Sequence, residues 1–98
     1  MESKSVPEEL QVLREQIDAI DEQLLMDLAR RFEVTREVGR IKAENRLQSV
    51  DPAREQQKLE RLQELAKAHS LNSEFILALF QAIFNEVVAN HKEFIRKG

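Results

Sequence analysis

Apolar side chains recur at spacings of three and four over a long first stretch, from about Pro7 to about Asn45. This periodicity predicts an amphipathic helix, and a proline suits its first turn. At 1.5 Å per residue the helix would be roughly 57 Å long, whereas a globule of this chain length has a radius of gyration of roughly 13 Å. Two shorter helices cannot cover such a stripe, so the pattern predicts a second subunit that does. The stripe consists of Leu10, Leu13, Ile17, Ile20, Leu24, Leu28, Val34, Val38 and Ile41.

Two shorter helices are predicted after a loop at residues 45–51. Asp51 is a good N-cap and Pro52 a good first helical residue, and this second helix runs to about His69. Asn72 caps the third helix. No alternation typical of strands appears, so the fold class is all-α, with one long and two shorter helices. The predicted apolar faces are Leu59, Leu62 and Leu65 on the second helix, and Phe75, Ile76, Leu79, Phe80, Ile83, Phe84, Val87, Val88 and Ile95 on the third.

Composition excludes several classes of function. The 98 residues have room for one domain. The absence of cysteine excludes disulfides and thiolate metal sites, and two histidines are too few for a convincing metal site. A net charge of −3 gives no global attraction to nucleic acid. No apolar run of membrane-spanning length and no apolar leader pattern occur. We therefore expect a cytoplasmic protein without nucleic-acid or membrane partners, in which any bound anion is held by a local cluster of cations.

Such a cluster is visible on the long helix. Arg31, Thr35, Val38 and Lys42 fall on one face, because eleven residues turn a helix by three turns plus about 20° over roughly 16 Å. The long side chains of Arg31 and Lys42 could close on one small ligand. The alternative is that both extend from a half-buried stripe into solvent, which is the commoner outcome for two cations alone.

Arg14 cannot reach the same ligand from the same helix, because it lies roughly 25 Å from Arg31 along the axis. An antiparallel or crossed copy of the helix could bring the two together. If Arg14 belongs to this site, it comes from a second protomer. Taken alone, Arg14 fits a surface arginine paired with Asp18 at i+4.

Weaker signals lie elsewhere in the chain. Asp51 and Glu55 are favourable at a helix N-terminus and can be caps alone, whereas Arg54 is unfavourable there and points to an anionic partner. In mid-helix, Gly39 lowers helix stability by about 1 kcal/mol relative to alanine. It is either tolerated or marks the close approach of another backbone or a ligand. His91 continues the apolar stripe of the third helix, where a single histidine is usually a core residue.

Five segments in order carry a resemblance to a known family. They read L-R-E-Q-I-D-A-I-D-E-Q-L-L from Leu13, A-R-R from Ala29, E-V-G-R-I-K from Glu37, D-P-A-R-E from Asp51 and L-F-Q-A-I-F-N-E from Leu79. At this spacing the chain resembles the all-helical (type II) chorismate mutases from about Glu9 to about Lys92. The resemblance implies a tail at residues 1–8 and a chorismate mutase domain at 9–98. It also implies an intertwined helical homodimer with two shared active sites, each completed by the partner's long helix.

The reaction implied by the resemblance is the unimolecular rearrangement of chorismate, a dianion, to prephenate, towards phenylalanine and tyrosine. It requires no metal or cofactor. Planar arginine forks bind carboxylates bidentately. Arg31 and Arg14 of the partner subunit match the family's carboxylate-binding arginines, and Arg54 matches an additional one. Lys42 matches the lysine that donates to the ether oxygen as its C–O bond breaks, a contribution of roughly 10²–10³ in rate.

Other positions match in part. Asp51 and Glu55 match residues that receive the ring hydroxyl of the substrate. Val87 stands where a hydroxyl residue helps to hold a carboxylate, which bears on affinity more than on catalysis. His91 stands where a glutamine or glutamate gives the second hydrogen bond to the ether oxygen. Because a neutral imidazole keeps one N–H donor, our hypothesis is that His91 donates that bond.

Two alternatives remain open at this point. A related enzyme acting on isochorismate or 4-amino-4-deoxychorismate would use the same cationic frame, and Val87 and His91 are compatible with it. A non-catalytic helical dimer, acting as a binding or regulatory module, would have the same apolar stripes but leaves Arg31, Lys42 and Arg54 without a role. The length of the chain favours a free-standing enzyme over a domain of a longer bifunctional one.

Overall fold

The computed structural model describes residues 6–48 and 51–97, with side chains described as far as residue 90. Three helices form the fold: α1 (Glu8–Glu44), α2 (Pro52–Ala68) and α3 (Ser73–Lys97). No strand occurs within these residues. The prediction of an all-α chain with one long and two shorter helices is confirmed, and the helix ends lie within about one residue of the predicted ones.

Helix α1 begins with a regular helical hydrogen bond and ends in a motif that satisfies two of its last carbonyls. The chain enters through a hydrogen bond from the Gln11 N–H to the Pro7 carbonyl (3.1 Å). At the other end Arg46 adopts φ 58°, and the Leu47 N–H donates to the Lys42 carbonyl (2.7 Å). The Arg46 N–H donates to the Ala43 carbonyl (3.2 Å). This pair of bonds is a Schellman motif. It ends α1 directly after the turn that carries Lys42.

Side-chain caps begin the two shorter helices. The Asp51 carboxylate accepts from the Arg54 N–H (3.2 Å), and Pro52 follows as the first helical residue. The Asn72 side-chain oxygen accepts from the Phe75 N–H (3.0 Å). Both caps were predicted, and both are confirmed. The turn between the helices passes through Ser70 at φ 58°.

The hydrophobic core lies between α2 and α3, which pack against each other within a compact unit at Val34–Gly98. Leu62 and Ala66 of α2 and Phe84 of α3 are buried, with Ala66 only 1% exposed. The ring of Phe84 meets that of Phe80 edge-to-face, with centroids 6.2 Å apart. The predicted faces of α2 and α3 are therefore confirmed at Leu62 and Phe84, whereas Phe75 and Leu79 of the predicted α3 face are exposed. Ala66 was missed because alanine is a weak apolar signal.

The second compact unit, Met1–Glu33, contains the first two thirds of α1. Its apolar stripe is exposed, with Ile20 at 59% and Leu24 at 62% of their possible accessible area. In most proteins, such a row of exposed large apolar side chains is an interaction surface that another protein segment or subunit covers. No helix in the described part of the chain is long and apolar enough to cross a membrane.

Candidate active site

One face of α1 changes character towards the end of the helix. From Glu8 to Asp27 every residue of α1 is exposed, whereas several positions between residues 28 and 43 are half-buried or buried. Three of these positions carry polar side chains: Arg31, Thr35 and Lys42. They lie within about 40° of each other around the helix axis. The two predicted cations are thus partly removed from water on a common face of one helix.

Burial on this face includes a polar side-chain atom that is usually exposed to solvent. The Nη1 atom of Arg31 is buried. Gly39, which stands one turn after Thr35 and one turn before Ala43, is buried as well. Because glycine has no side chain, it leaves space beside Thr35. Of the two interpretations offered for Gly39, its burial favours the close approach of another backbone or a ligand.

The start of α2 places two carboxylates and one guanidinium together. Asp51 and Arg54 are exposed, and Glu55 is half-buried. The Asp51 carboxylate caps the helix through the Arg54 N–H, and its carbonyl accepts from the Glu55 N–H (2.9 Å). The structural role of Asp51 is therefore shown. A carboxylate has about four lone-pair sites, so the cap leaves capacity for a further donor such as a hydroxyl.

The structure also describes part of the predicted contribution of α3. Val87 is half-buried on this helix. The backbone of His91 lies in α3, but its side chain is outside the described residues.

A half-buried cation on α2 was missed in the sequence. Lys58 stands one turn before Leu62 and two turns before Leu65, on the flank of the apolar face. Its spacing from these leucines (i, i+4, i+7) was the signal that could have singled it out.

Arg14 lies in the exposed part of α1, in the N-terminal unit. Within residues 6–48 no hydrogen bond or ion pair joins Arg14 to Asp18. The surface ion pair that the sequence offered as an alternative is therefore not formed. The two arginines Arg14 and Arg31 stand on the same helix, roughly 25 Å apart along its axis. A single chain therefore does not bring them to one ligand.

Arg40 shows how a surface arginine behaves on the same helix. Its guanidinium contacts Glu37 (2.8 Å) and Glu44 (2.7 Å), and all three side chains are exposed. The hydrogen bond from Arg40 lowers the pKa of the Glu37 carboxyl, and both glutamates raise the pKa of Arg40. It stands two positions before Lys42, a rotation of about 200°, so it points to the opposite side of α1. This cluster is satisfied locally and is not part of the cationic face.

Among the described residues there is no group of three or more histidine, aspartate or glutamate side chains that could hold a metal ion.

Comparison with known proteins gives consistent matches. A family model described as chorismate mutase type II matches residues 13–92. A bifunctional chorismate mutase/prephenate dehydratase of Escherichia coli (strain K12) is 41% identical over 88 residues, which are 90% of this chain and 23% of that protein. The protein of the same description from Buchnera aphidicola (subsp. Acyrthosiphon pisum) is 35% identical over 88 residues.

A shorter relative aligns over nearly its whole length. It is a chorismate mutase of Methanocaldococcus jannaschii, 28% identical over 90 residues, which are 92% of this chain and 91% of that protein. By contrast, this chain spans about a quarter of the length of the bifunctional relatives it matches.

Proposed function

Because the chain belongs to the chorismate mutase type II family, we propose that it catalyses the rearrangement of chorismate to prephenate, the step that leads to phenylalanine and tyrosine. The family match confirms the resemblance drawn from the sequence. The observation that carries the proposal is the half-buried face of α1, on which Arg31 and Lys42 stand at the family's spacing. Relatives of two different lengths bear the name of this activity, which also supports it.

Arg31 and Lys42 each take part in both substrate binding and catalysis. The guanidinium of Arg31 forms paired hydrogen bonds to one carboxylate and holds the flexible arm of the substrate over the ring. In the rearrangement the ether C–O bond breaks while a C–C bond forms in the same molecule, and negative charge grows on the ether oxygen. The ammonium of Lys42 donates to that oxygen. Because its face is partly removed from water, this donor is worth more than it would be in bulk solvent.

The start of α2 completes the substrate contacts in this proposal. Asp51 and Glu55 accept from the ring hydroxyl, and Arg54 adds a cation near the carboxylates. On α3, His91 donates a second hydrogen bond to the ether oxygen, and Val87 contributes apolar contact only. These roles follow from the family's pattern, residue by residue.

The proposal includes a homodimer in which each site takes Arg14 from the partner subunit. It is supported by the exposed apolar stripe of α1 and by the length of helix that separates Arg14 from Arg31. A second copy would cover the stripe and supply the missing arginine at once. The site also needs a further cation, because three positive charges from Arg31, Lys42 and Arg54 face two negative charges from Asp51 and Glu55 and two from the substrate.

The test is the turnover of chorismate by the purified chain, followed by loss of chorismate absorbance and formation of prephenate. Lys42→Ala should lower kcat by roughly 10²–10³, because it removes a donor to the charge that develops in the transition state. The matched control is Lys67→Ala, in the last turn of α2 and exposed, which should leave kcat within about twofold.

Isochorismate and 4-amino-4-deoxychorismate are measured in parallel. Faster turnover of either one would replace the proposed substrate with that analogue. If none of the three is consumed and Lys42→Ala changes nothing but stability, the chain is a non-catalytic helical module instead.

A further inference from the structure

Thr35 is the third polar residue on the half-buried face of α1, and the proposed function gives it no role. It is the single threonine of the chain. Its side chain is half-buried, as are those of Arg31 and Lys42. A half-buried hydroxyl needs a hydrogen-bond partner, and its place on this face raises the question of what it binds when substrate is present.

Helix geometry places Thr35 between the two cations. It stands about 6 Å beyond Arg31 and about 10 Å before Lys42 along the axis, with rotations of about 40° and 20° from them. Threonine is short, whereas arginine and lysine are long. A ligand that contacts both cations would span the part of this face on which Thr35 stands. Gly39, one turn further on, has no side chain that would cover the Thr35 hydroxyl.

One carboxylate of the proposed substrate lacks a hydroxyl donor on α3. Val87 stands where a hydroxyl residue helps to hold a carboxylate in the more familiar members of the family, and two methyl groups donate no hydrogen bond. A carboxylate left without that partner loses a charge-assisted hydrogen bond on leaving water. We propose that the Thr35 hydroxyl donates a hydrogen bond to a carboxylate of the substrate, so that α1 supplies the contact that α3 lacks. This rests on the proposed function.

A local role is the alternative. Within a helix, a threonine hydroxyl can donate to the carbonyl one turn earlier, here that of Arg31. That bond is neutral, whereas a bond to a carboxylate is charge-assisted and about twice as strong. The hydroxyl can therefore rotate to the substrate when it binds. A purely local role predicts an effect on stability, and the substrate role predicts an effect on KM.

The experiment compares three variants in the full chain. Thr35→Val removes the hydroxyl and keeps the branched shape, Thr35→Ala removes both, and Thr35→Ser keeps the hydroxyl. We expect KM for chorismate to rise about tenfold in the first two and to stay within about twofold in Thr35→Ser, with kcat changed less than KM. The melting temperature is measured for each variant. If valine impairs folding, alanine, a good helix former, decides the outcome.

The outcomes separate this inference from the proposed function. Unchanged KM in Thr35→Val and Thr35→Ala, with an active unsubstituted chain, overturns the role of Thr35 and leaves the function standing. An equal rise in KM for Thr35→Ser also overturns it, because shape rather than the hydroxyl would then matter. If the unsubstituted chain forms no prephenate, the proposed function fails and the role of Thr35 fails with it.

Discussion

Individual cations on α1 differ in how their charge is stabilised. Arg40 is exposed and held by two glutamates of its own helix, an arrangement whose net contribution to stability is small. Arg31 and Lys42 stand at half-buried positions, where an apolar side chain of similar size would cost less desolvation. Selection for folding alone favours the apolar choice. The presence of both cations on one face fits the proposed dianionic substrate.

His91 provides a test at the same scale. If its imidazole donates to the ether oxygen, His91→Gln keeps a donor and should retain kcat within a few-fold, whereas His91→Ala should lose one or more decades. Both are measured with saturating chorismate. His69→Ala is the control, since His69 is exposed at the end of α2 and should leave kcat unchanged. A normal kcat for His91→Ala, together with a lower melting temperature, would assign His91 to the core.

At the scale of the helices, the two caps allow folding and binding to be separated. Asn72→Ala removes the cap of α3 and should cost about 1 kcal/mol of stability, without effect on kcat/KM. Asp51→Ala should cost a similar amount and also raise KM, because the proposed acceptor of the ring hydroxyl is lost. Asp51→Asn keeps a capping oxygen, so it should raise KM with little change in the free energy of unfolding.

Chemical denaturation and steady-state kinetics on the same preparations check this set. An unchanged KM for Asp51→Asn would mean that Asp51 is a cap and nothing more. A change in kcat/KM for Asn72→Ala would show that disturbance of a helix start is enough to alter the site.

The sequence signals for the helix starts are more specific than those for the helix ends, although both were predicted to within about one residue. Asp51 and Asn72 accept from an N–H only three residues ahead, so the signal is local. The ends of α1 and α2 pass through Arg46 and Ser70 at positive φ, where glycine would have been the recognisable residue.

In the candidate site, too, features that depend on local sequence could be predicted better than features that depend on packing. The common face of Arg31 and Lys42 follows from helical periodicity. The half-burial of Lys58 depends on packing between helices, and the spacing of Lys58 from Leu62 and Leu65 was the one sequence signal that pointed to it. Whether Arg14 approaches Arg31 depends on how a second chain packs against the first. The periodicity of one helix does not determine that packing.

At the scale of the whole molecule, the exposed stripe of α1 has the largest energetic consequence. Each large apolar side chain that passes from water into an interface contributes about 1.5–3 kcal/mol. The stripe presents at least Leu13, Ile17, Ile20 and Leu24 to solvent in a single chain, all more than half exposed. These contributions act together along one face. They provide the driving force for the proposed pairing of two chains, which would then assemble each site from both.

Mixed dimers test this sharing directly. Arg14→Ala and Arg31→Ala should each be nearly inactive alone, because every site lacks one arginine. When the two variants are unfolded and refolded together, half of the dimers are mixed, and one of the two sites in each mixed dimer has both arginines. About a quarter of the sites should therefore regain activity. The control mixes Arg31→Ala with Lys42→Ala. Both residues come from the same chain in every site, so no complete site can form and activity should not return. Failure of the first mixture to recover activity, with dimers present by light scattering, would mean that each chain builds its site alone.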